Sequence, residues 1–196
     1  TVDNCRVTNS ASCIDIGPGW NTAAPTFSKA INVDEATTKG IEVAGRYLFA
    51  PDWSLSANYT YTKTEQKSGV NKGWPLTNTP RHLFNTSLNW QTTDRLNTWI
   101  KGEYRSKRFR RTSGSENLAY DAFGDYKSYA LFHLGGSYQA TDSVVLNATI
   151  YNVLDKNFIK YNPYISNTSK GTVSYDNEYN NSQERRRLWL SATYNF

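Results

Sequence analysis

The chain ends in the stretch "RRRLWLSATYNF", residues 185–196, in which apolar and polar side chains alternate. The even positions are apolar and most of the odd ones are polar: Leu188, Leu190, Ala192, Tyr194 and Phe196 alternate with Ser191, Thr193 and Asn195. Successive side chains of a β-strand point to opposite faces of the sheet. This stretch therefore predicts a strand with one apolar face and one mostly polar face.

The same alternation recurs in six earlier segments. They are residues 41–49, 53–62, 81–90, 95–105, 126–139 and 143–152. Each is close to or above the roughly 9–11 residues that a tilted membrane strand requires. No stretch reaches the roughly 18 consecutive apolar residues of a spanning helix. We therefore predict an all-β chain of seven antiparallel strands.

The predicted connections alternate between short and long. Residues 50–53, 92–94 and 140–142 form tight turns, whereas 67–79, 110–125 and 160–183 are long and polar. Short turns at one rim and long loops at the other are typical of an outer-membrane β-barrel, whose short turns face the periplasm. A soluble β-sandwich also alternates, but its two rims would carry loops of similar length. The connections therefore favour a transmembrane antiparallel β-barrel.

Aromatic residues gather at both ends of the predicted strands. Phe49, Trp53, Trp90, Tyr138 and Phe196 lie near the short turns, and Tyr59, Tyr61, Phe84, Tyr104 and Tyr126 lie toward the long loops. Two aromatic belts around an aliphatic band are what a bilayer selects. The terminal Phe196, with Tyr194 on the same face, resembles the signal that outer-membrane barrels present to their assembly machinery.

An antiparallel sheet in lipid must close, because each unpaired backbone group costs several kcal/mol there. Bacterial single-chain barrels use even strand numbers. We therefore expect the first strand, near 27–50, and the last strand to be edges that other strands complete. Residues 1–26 are rich in turn formers and predict an extracellular loop. Cys5 and Cys13 bracket a polar segment, which favours a disulfide in an oxidising compartment over two free thiols.

Four ordered segments carry a family resemblance. They are "GIEVAGRYLFAPDWSLSANYTYTKTE" at 40–65, "PLTNTPRHLFNTSLNW" at 75–90, "YNVLDKNF" at 151–158 and the closing stretch. Together they resemble the C-terminal third of TonB-dependent outer-membrane receptors, most closely the catecholate receptors for ferric enterobactin and colicin I. The resemblance covers residues 27–196. It implies about the last seven strands of a 22-stranded barrel with an N-terminal plug, the plug itself lying outside this chain.

The resemblance also implies a function and a set of partners. The whole protein would import a ferric siderophore, of catecholate type, across a Gram-negative outer membrane. Its partners would be the siderophore, the remaining strands and plug, TonB through the N-terminal region, outer-membrane lipid and lipopolysaccharide, with bacteriocins as further candidates and no nucleic acid. It needs no cofactor, because iron enters only within the ligand. The alternatives are a smaller barrel acting as porin, adhesin or anchor, and a barrel enzyme.

The segment "YRSKRFRR", residues 104–111, is the main candidate for a binding site. A ferric tris-catecholate is anionic and aromatic, so it calls for cations and stacking rings. The predicted ligand-binding set is Arg105, Lys107, Arg111, Arg185 and Arg187 with Trp74, Tyr120, Tyr164 and Tyr175. Strand parity turns Arg105, Lys107 and Arg111 toward the lumen. The alternative role of these lumen cations is to pair with carboxylates of the plug, and for Arg185 and Arg187 also with Glu184 or Glu178.

Other basic residues have a different predicted role. Strand parity turns Arg108 and Arg110 outward, and with Arg186 they are predicted to face lipopolysaccharide phosphate. Asn152 and Asp155 are expected to fix the exit of a strand through backbone hydrogen bonds.

The sequence predicts neither a metal site nor an enzyme. His82 and His133 are far apart, and a metal site needs three or four convergent donors. The sequence contains no glycine-rich phosphate loop, no nucleophile elbow and no paired catalytic carboxylates.

Overall fold

The computed structural model describes residues 2–5, 11, 13–14, 26–27, 35–69, 71–110, 118–181 and 183–196. The chain divides into two units, Thr1–Asp34 and Glu35–Phe196. In the first unit, β1 (Val2–Asp3) pairs antiparallel with β2 (Thr26–Phe27). A disulfide joins Cys5 to Cys13, whose Cα atoms are 5.0 Å apart. The predicted disulfide is therefore present.

The described part of the second unit forms one antiparallel sheet of seven strands. In sheet order these are β3 (Ala36–Ala50), β4 (Trp53–Gln66), β5 (His82–Thr93), β6 (Leu96–Arg105), β7 (Tyr129–Gln139), β8 (Val144–Tyr151) and β11 (Arg187–Tyr194). A helix, α1 (Leu118–Phe123), follows β6, and a separate hairpin of β9 (Tyr161–Asn167) and β10 (Thr172–Asn177) lies between β8 and β11. The predicted set of seven strands is confirmed.

The strand register places apolar side chains beside one another on one face of the sheet. Leu190 lies opposite Ala148 on the neighbouring strand, and Trp53 stacks on Trp90 with ring centroids 4.9 Å apart. Leu190 is 65 % exposed among the described residues. A soluble sandwich would cover such a face with a second sheet. The uncovered apolar face agrees with strands that meet lipid.

The opposite face of the sheet is mostly polar. It borders a cavity of about 680 Å³, whose lining includes Arg46, Asn58, Asn85, Lys101, Glu103 and His133. These residues belong to the positions predicted to face the lumen, so both halves of the alternation are confirmed.

The buried hydrophobic cluster lies on this polar side, at the end of β7 nearest the long connections. Tyr129 and Leu131 pack with Phe158, and Tyr179 joins them. Tyr129 and Leu131 share the face of β7 with His133, which lines the cavity. The connection between β8 and β11 therefore folds over the lumen side of the wall.

Two predicted strand starts are wrong. The first sheet strand begins at Ala36, not near residue 27, because Thr26 and Phe27 pair instead with β1. The strand predicted at 126–139 begins at Tyr129, and Tyr126 is buried among the loops rather than part of the outer aromatic belt. None of the helices among the described residues is long and apolar enough to cross a membrane.

Candidate functional site

The basic segment begins where the regular ladder of β6 ends. Arg105 is the last residue of β6 and pairs with Leu83 of β5 and Tyr129 of β7. Immediately beyond it, the Ser106 hydroxyl accepts a hydrogen bond from the His82 backbone N–H at 3.0 Å. Because the segment leaves the regular ladder, strict alternation of side chains no longer holds after Arg105.

Arg108 is buried, so the prediction that it faces lipopolysaccharide is wrong. Its guanidinium donates one hydrogen bond to the Asn78 side chain at 2.8 Å and another to the backbone carbonyl of Tyr179. It also lies 5.7 Å from the ring centroid of Tyr126 and 5.6 Å from that of Tyr129. Arg108 therefore joins the three long connections on the lumen side of the sheet.

Arg110 is also buried, and its predicted outward position is wrong for the same reason. Its Nε donates to the Gly124 carbonyl at 2.9 Å, and its terminal nitrogen donates to Asp176 Oδ2 at 2.6 Å. The guanidinium lies 4.2 Å from the ring centroid of Tyr126. A buried guanidinium must be paired and hydrogen-bonded to be tolerated. This contact ties the β9–β10 hairpin to the connection after β6.

The side chains of Arg105 and Lys107 remain partly exposed. The Arg105 side chain is 40 % exposed, and its terminal nitrogen lies 3.9 Å from Glu103. The Lys107 side chain is 76 % exposed and pairs with Asp125 at 3.2 Å. Exposed ion pairs contribute little, so both cations can turn to an anionic ligand at small cost. Arg111, the third cation of the predicted set, lies outside the described residues.

Two of the predicted stacking rings belong to one aromatic cluster. Trp74 stacks on Phe109 with centroids 5.3 Å apart, and Tyr120 meets Phe109 edge-on at 5.6 Å. Tyr164 instead contacts Phe123 of α1 at 5.9 Å, and Tyr175 is exposed. The structure does not gather the four rings in one place. Phe109, at the centre of this cluster, is not among the predicted rings, although its place inside the basic segment is a usable signal.

Arg185 and Arg187 make ion pairs at the start of β11. Arg187 pairs with Glu184 at 3.0 Å, and its guanidinium lies 4.6 Å from the ring centroid of Tyr151. Arg185 donates to Asp155 at 2.9 Å rather than to Glu184 or Glu178. Both arginines remain more than half exposed, with side chains at 52 % and 58 %. Ligand contact by these arginines, and lipid contact by Arg186, stay predictions.

Asn152 and Asp155 fix the exit of β8, as expected. The buried Asn152 side chain donates to the Lys156 carbonyl at 2.8 Å and accepts from the Lys156 backbone N–H at 2.8 Å. Asp155 accepts from the backbone N–H of Arg186 at 2.9 Å. Asn152 and Asp155 have φ values of 50° and 53°, a left-handed conformation that Asn and Asp tolerate better than most residues.

Two carboxylates in this region have lowered pKa values. The Arg185 hydrogen bond, with a second from the Arg186 backbone, holds the pKa of Asp155 well below its usual range. Burial alone would raise the pKa of Glu178, but hydrogen bonds from Lys127, Asn162 and Lys160 lower it to about 2. Both groups are therefore ionised at neutral pH and neutralise cations of the loops. Within the described ranges, no group of three His, Cys, Asp or Glu side chains could hold a metal ion.

Comparison with known proteins decides the family. The model of the TonB-dependent receptor-like β-barrel matches residues 6–153. The chain belongs to the TonB-dependent receptor family. This confirms the predicted resemblance and the barrel fold, of which the chain forms a part. It also places the chain among receptors rather than enzymes.

Three similar proteins illustrate this membership of the TonB-dependent receptor family. The iron-regulated outer membrane virulence protein of Vibrio cholerae is 37 % identical over 185 residues, which cover 94 % of this chain and 25 % of the relative. A ferric enterobactin receptor of Pseudomonas aeruginosa is 29 % identical over 154 residues, covering 74 % and 19 %. The crystal structure of a mutant ferric enterobactin receptor from that species has a TM-score of 0.64 at 24 % identity, over 84 % of this chain and 23 % of that one. The chain thus spans about a quarter of the length of its relatives.

Proposed function

We propose that this chain forms part of the barrel wall and extracellular loops of a receptor that imports a ferric siderophore across a Gram-negative outer membrane. The observation that carries the proposal is the pair of exposed cations Arg105 and Lys107. They lie at the end of a strand whose polar face borders the lumen, in a chain of the TonB-dependent receptor family. Two relatives named for iron regulation and for ferric enterobactin support the substrate class.

An anionic ferric catecholate suits the long-loop rim of the sheet better than a neutral ferric siderophore. A ferric tris-catecholate is strongly anionic, and cations beside a polar cavity raise its local concentration. Its flat rings can stack on aromatic side chains of the loops, and arginine adds planar contacts. A neutral ferric hydroxamate offers these cations no charge to bind. Arg105 and Lys107 therefore favour the catecholate class.

The proposal includes the other partners that the family implies. The remaining strands and the plug complete the lumen, and TonB supplies energy through the N-terminal region of the whole protein. Lipid and lipopolysaccharide surround the apolar face, with Arg186 the remaining candidate for phosphate contact. Bacteriocins are further candidate ligands of the extracellular loops. No cofactor takes part, since iron arrives within the ligand.

The proposal predicts selective quenching of tryptophan fluorescence. In the purified full-length receptor, we expect quenching by a ferric tris-catecholate and none by a neutral ferric tris-hydroxamate. The double substitution Arg105→Glu and Lys107→Glu should weaken catecholate binding by on the order of tenfold, because two attractive charges become repulsive. A fluorescence titration gives the dissociation constants.

Arg95→Glu provides a matched control, because it reverses an exposed charge in the short β5–β6 turn at the opposite rim. This variant should bind the catecholate like the unmodified receptor. If both ferric complexes quenched the fluorescence equally, or if neither quenched it, the catecholate assignment would be contradicted. Unchanged affinity in the double variant would remove Arg105 and Lys107 from the site.

A further inference from the structure

The β9–β10 hairpin has two different faces. Its register pairs Ser174 with Tyr164 and Asp176 with Asn162 on one face. On the other face, Val173 pairs with Ile165 and Tyr175 with Pro163, and Tyr161 follows on the same side. Since neighbouring side chains of a strand point in opposite directions, the two sets cannot share a contact surface.

One face of the hairpin is held by the connection between β6 and β7. Tyr164 meets Phe123 of α1 at 5.9 Å, and Asp176 binds Arg110 at 2.6 Å. These contacts turn the opposite face of the hairpin away from α1.

The opposite face is apolar and uncovered among the described residues. We call Tyr161, Pro163, Ile165, Val173 and Tyr175 the hairpin apolar face. Ile165 is 46 % exposed, Val173 52 % and Tyr175 65 %. A two-stranded hairpin is marginally stable alone in water, and contiguous exposed apolar groups mark an interaction surface. The hairpin belongs to the extracellular rim, where lipid tails do not reach.

The sheet order indicates what lies next to this face. The hairpin connects β8 to β11, and β11 is the last strand of the sheet, with one unpaired edge. β11 runs from the long-loop rim toward the short turns, where the Asn195 N–H donates to the Ser143 carbonyl at 2.8 Å. A strand that pairs antiparallel with its free edge must run back to the long-loop rim. The loop that follows this strand then emerges beside the hairpin. It lies beyond β11 in the sheet order, on the side opposite to β6 and α1.

We propose that the hairpin apolar face packs against the extracellular loop that follows the strand pairing with β11 in the complete receptor. The contact closes the ring of outer loops where the barrel wall closes. Closure is required because an open strand edge in lipid leaves backbone groups unpaired. The proposal depends on barrel closure and not on the nature of the ligand, so it can fail while the proposed function stands.

Photo-crosslinking in the full-length receptor tests this proposal. A benzoylphenylalanine in place of Tyr175 should, on irradiation in outer membranes, crosslink within the same polypeptide to the loop that follows the strand pairing with β11. Mass spectrometry identifies the joined peptides. The same probe in place of Lys170, in the exposed turn of the hairpin, is the matched control. Because Lys170 lies outside the packed face, this probe should give less than about a fifth of that product.

Three outcomes would overturn the proposal. The Tyr175 probe could join the plug, a second polypeptide or a different loop. It could give no intramolecular product, or the Lys170 probe could give the same product in equal yield. A second probe in place of Val173 shows whether a missing product at position 175 is due to the geometry of that one probe or to the absence of the loop contact. Val173 serves for this because it shares the face with Tyr175.

Discussion

Replacing Arg110 with alanine is expected to release the β9–β10 hairpin from the rest of the extracellular surface. Arg110 is 3 % exposed and binds both the Gly124 carbonyl and Asp176. Its removal deletes the hydrogen bond to the Asp176 carboxylate and the hydrogen bond to the Gly124 carbonyl, which together contribute about 3 kcal/mol. Hydrogen exchange in residues 161–177 of the full-length receptor should therefore accelerate by on the order of a hundredfold.

Arg187→Ala is the control for this experiment. Arg187 also pairs with a carboxylate, at 3.0 Å, but its side chain is 52 % exposed. An exposed pair contributes at most about 1 kcal/mol, so exchange in the hairpin should change less than tenfold. Equal exchange in the unmodified receptor and the Arg110→Ala variant would show that Arg110 does not hold the hairpin.

Replacing Phe196 with aspartate is expected to reduce the amount of folded receptor in the outer membrane at least fivefold. The Phe196 ring is fully exposed and meets Tyr194 edge-on at 5.0 Å, at the end of the apolar face. The loss of the ring and the introduction of a charge at the interface together cost about 2–3 kcal/mol. Quantitative blotting of outer membranes, with heat-modifiable mobility as the sign of folding, measures the effect.

Asn195→Asp is the matched control for the terminal ring. It introduces the same charge one residue earlier, at a position of opposite parity, where water in the lumen can solvate it. Its yield should stay within twofold of the unmodified receptor. An unaltered yield of the Phe196→Asp variant would contradict the interface position of this ring.

The sequence was sufficient to predict the sheet because its signal is local. Each strand repeats a two-residue period, and pairs such as Leu190 with Ala148 follow once neighbouring apolar faces are aligned. The tight turns were equally readable, since their Pro and Asp are adjacent in the chain. Sheet closure in lipid and the even strand number of bacterial barrels then indicate that seven strands are part of a larger barrel. The family resemblance adds the size of that barrel and its plug.

The contacts among the loops could not be predicted in the same way. Arg110 and Asp176 are 66 residues apart in sequence, and no period connects them. Strand parity placed Arg108 and Arg110 outside because it was extended past Arg105, where the ladder ends. Beyond that point tertiary contacts, not alternation, decide where a side chain points. Arg185 binds Asp155 and not the predicted Glu178 for a related reason, since Glu178 is already engaged by Lys127 and Lys160.

The apolar face of this sheet is expected to meet lipid while the other face meets water. The most direct measurement labels Leu190→Cys, Ser191→Cys, Ala192→Cys and Thr193→Cys variants of the full-length receptor with a nitroxide, one at a time, in lipid bilayers. Collision with oxygen should dominate at positions 190 and 192, and collision with a water-soluble nickel complex at 191 and 193. If neither reagent can reach the labels at 190 and 192, a second layer of protein covers this face and it does not meet lipid.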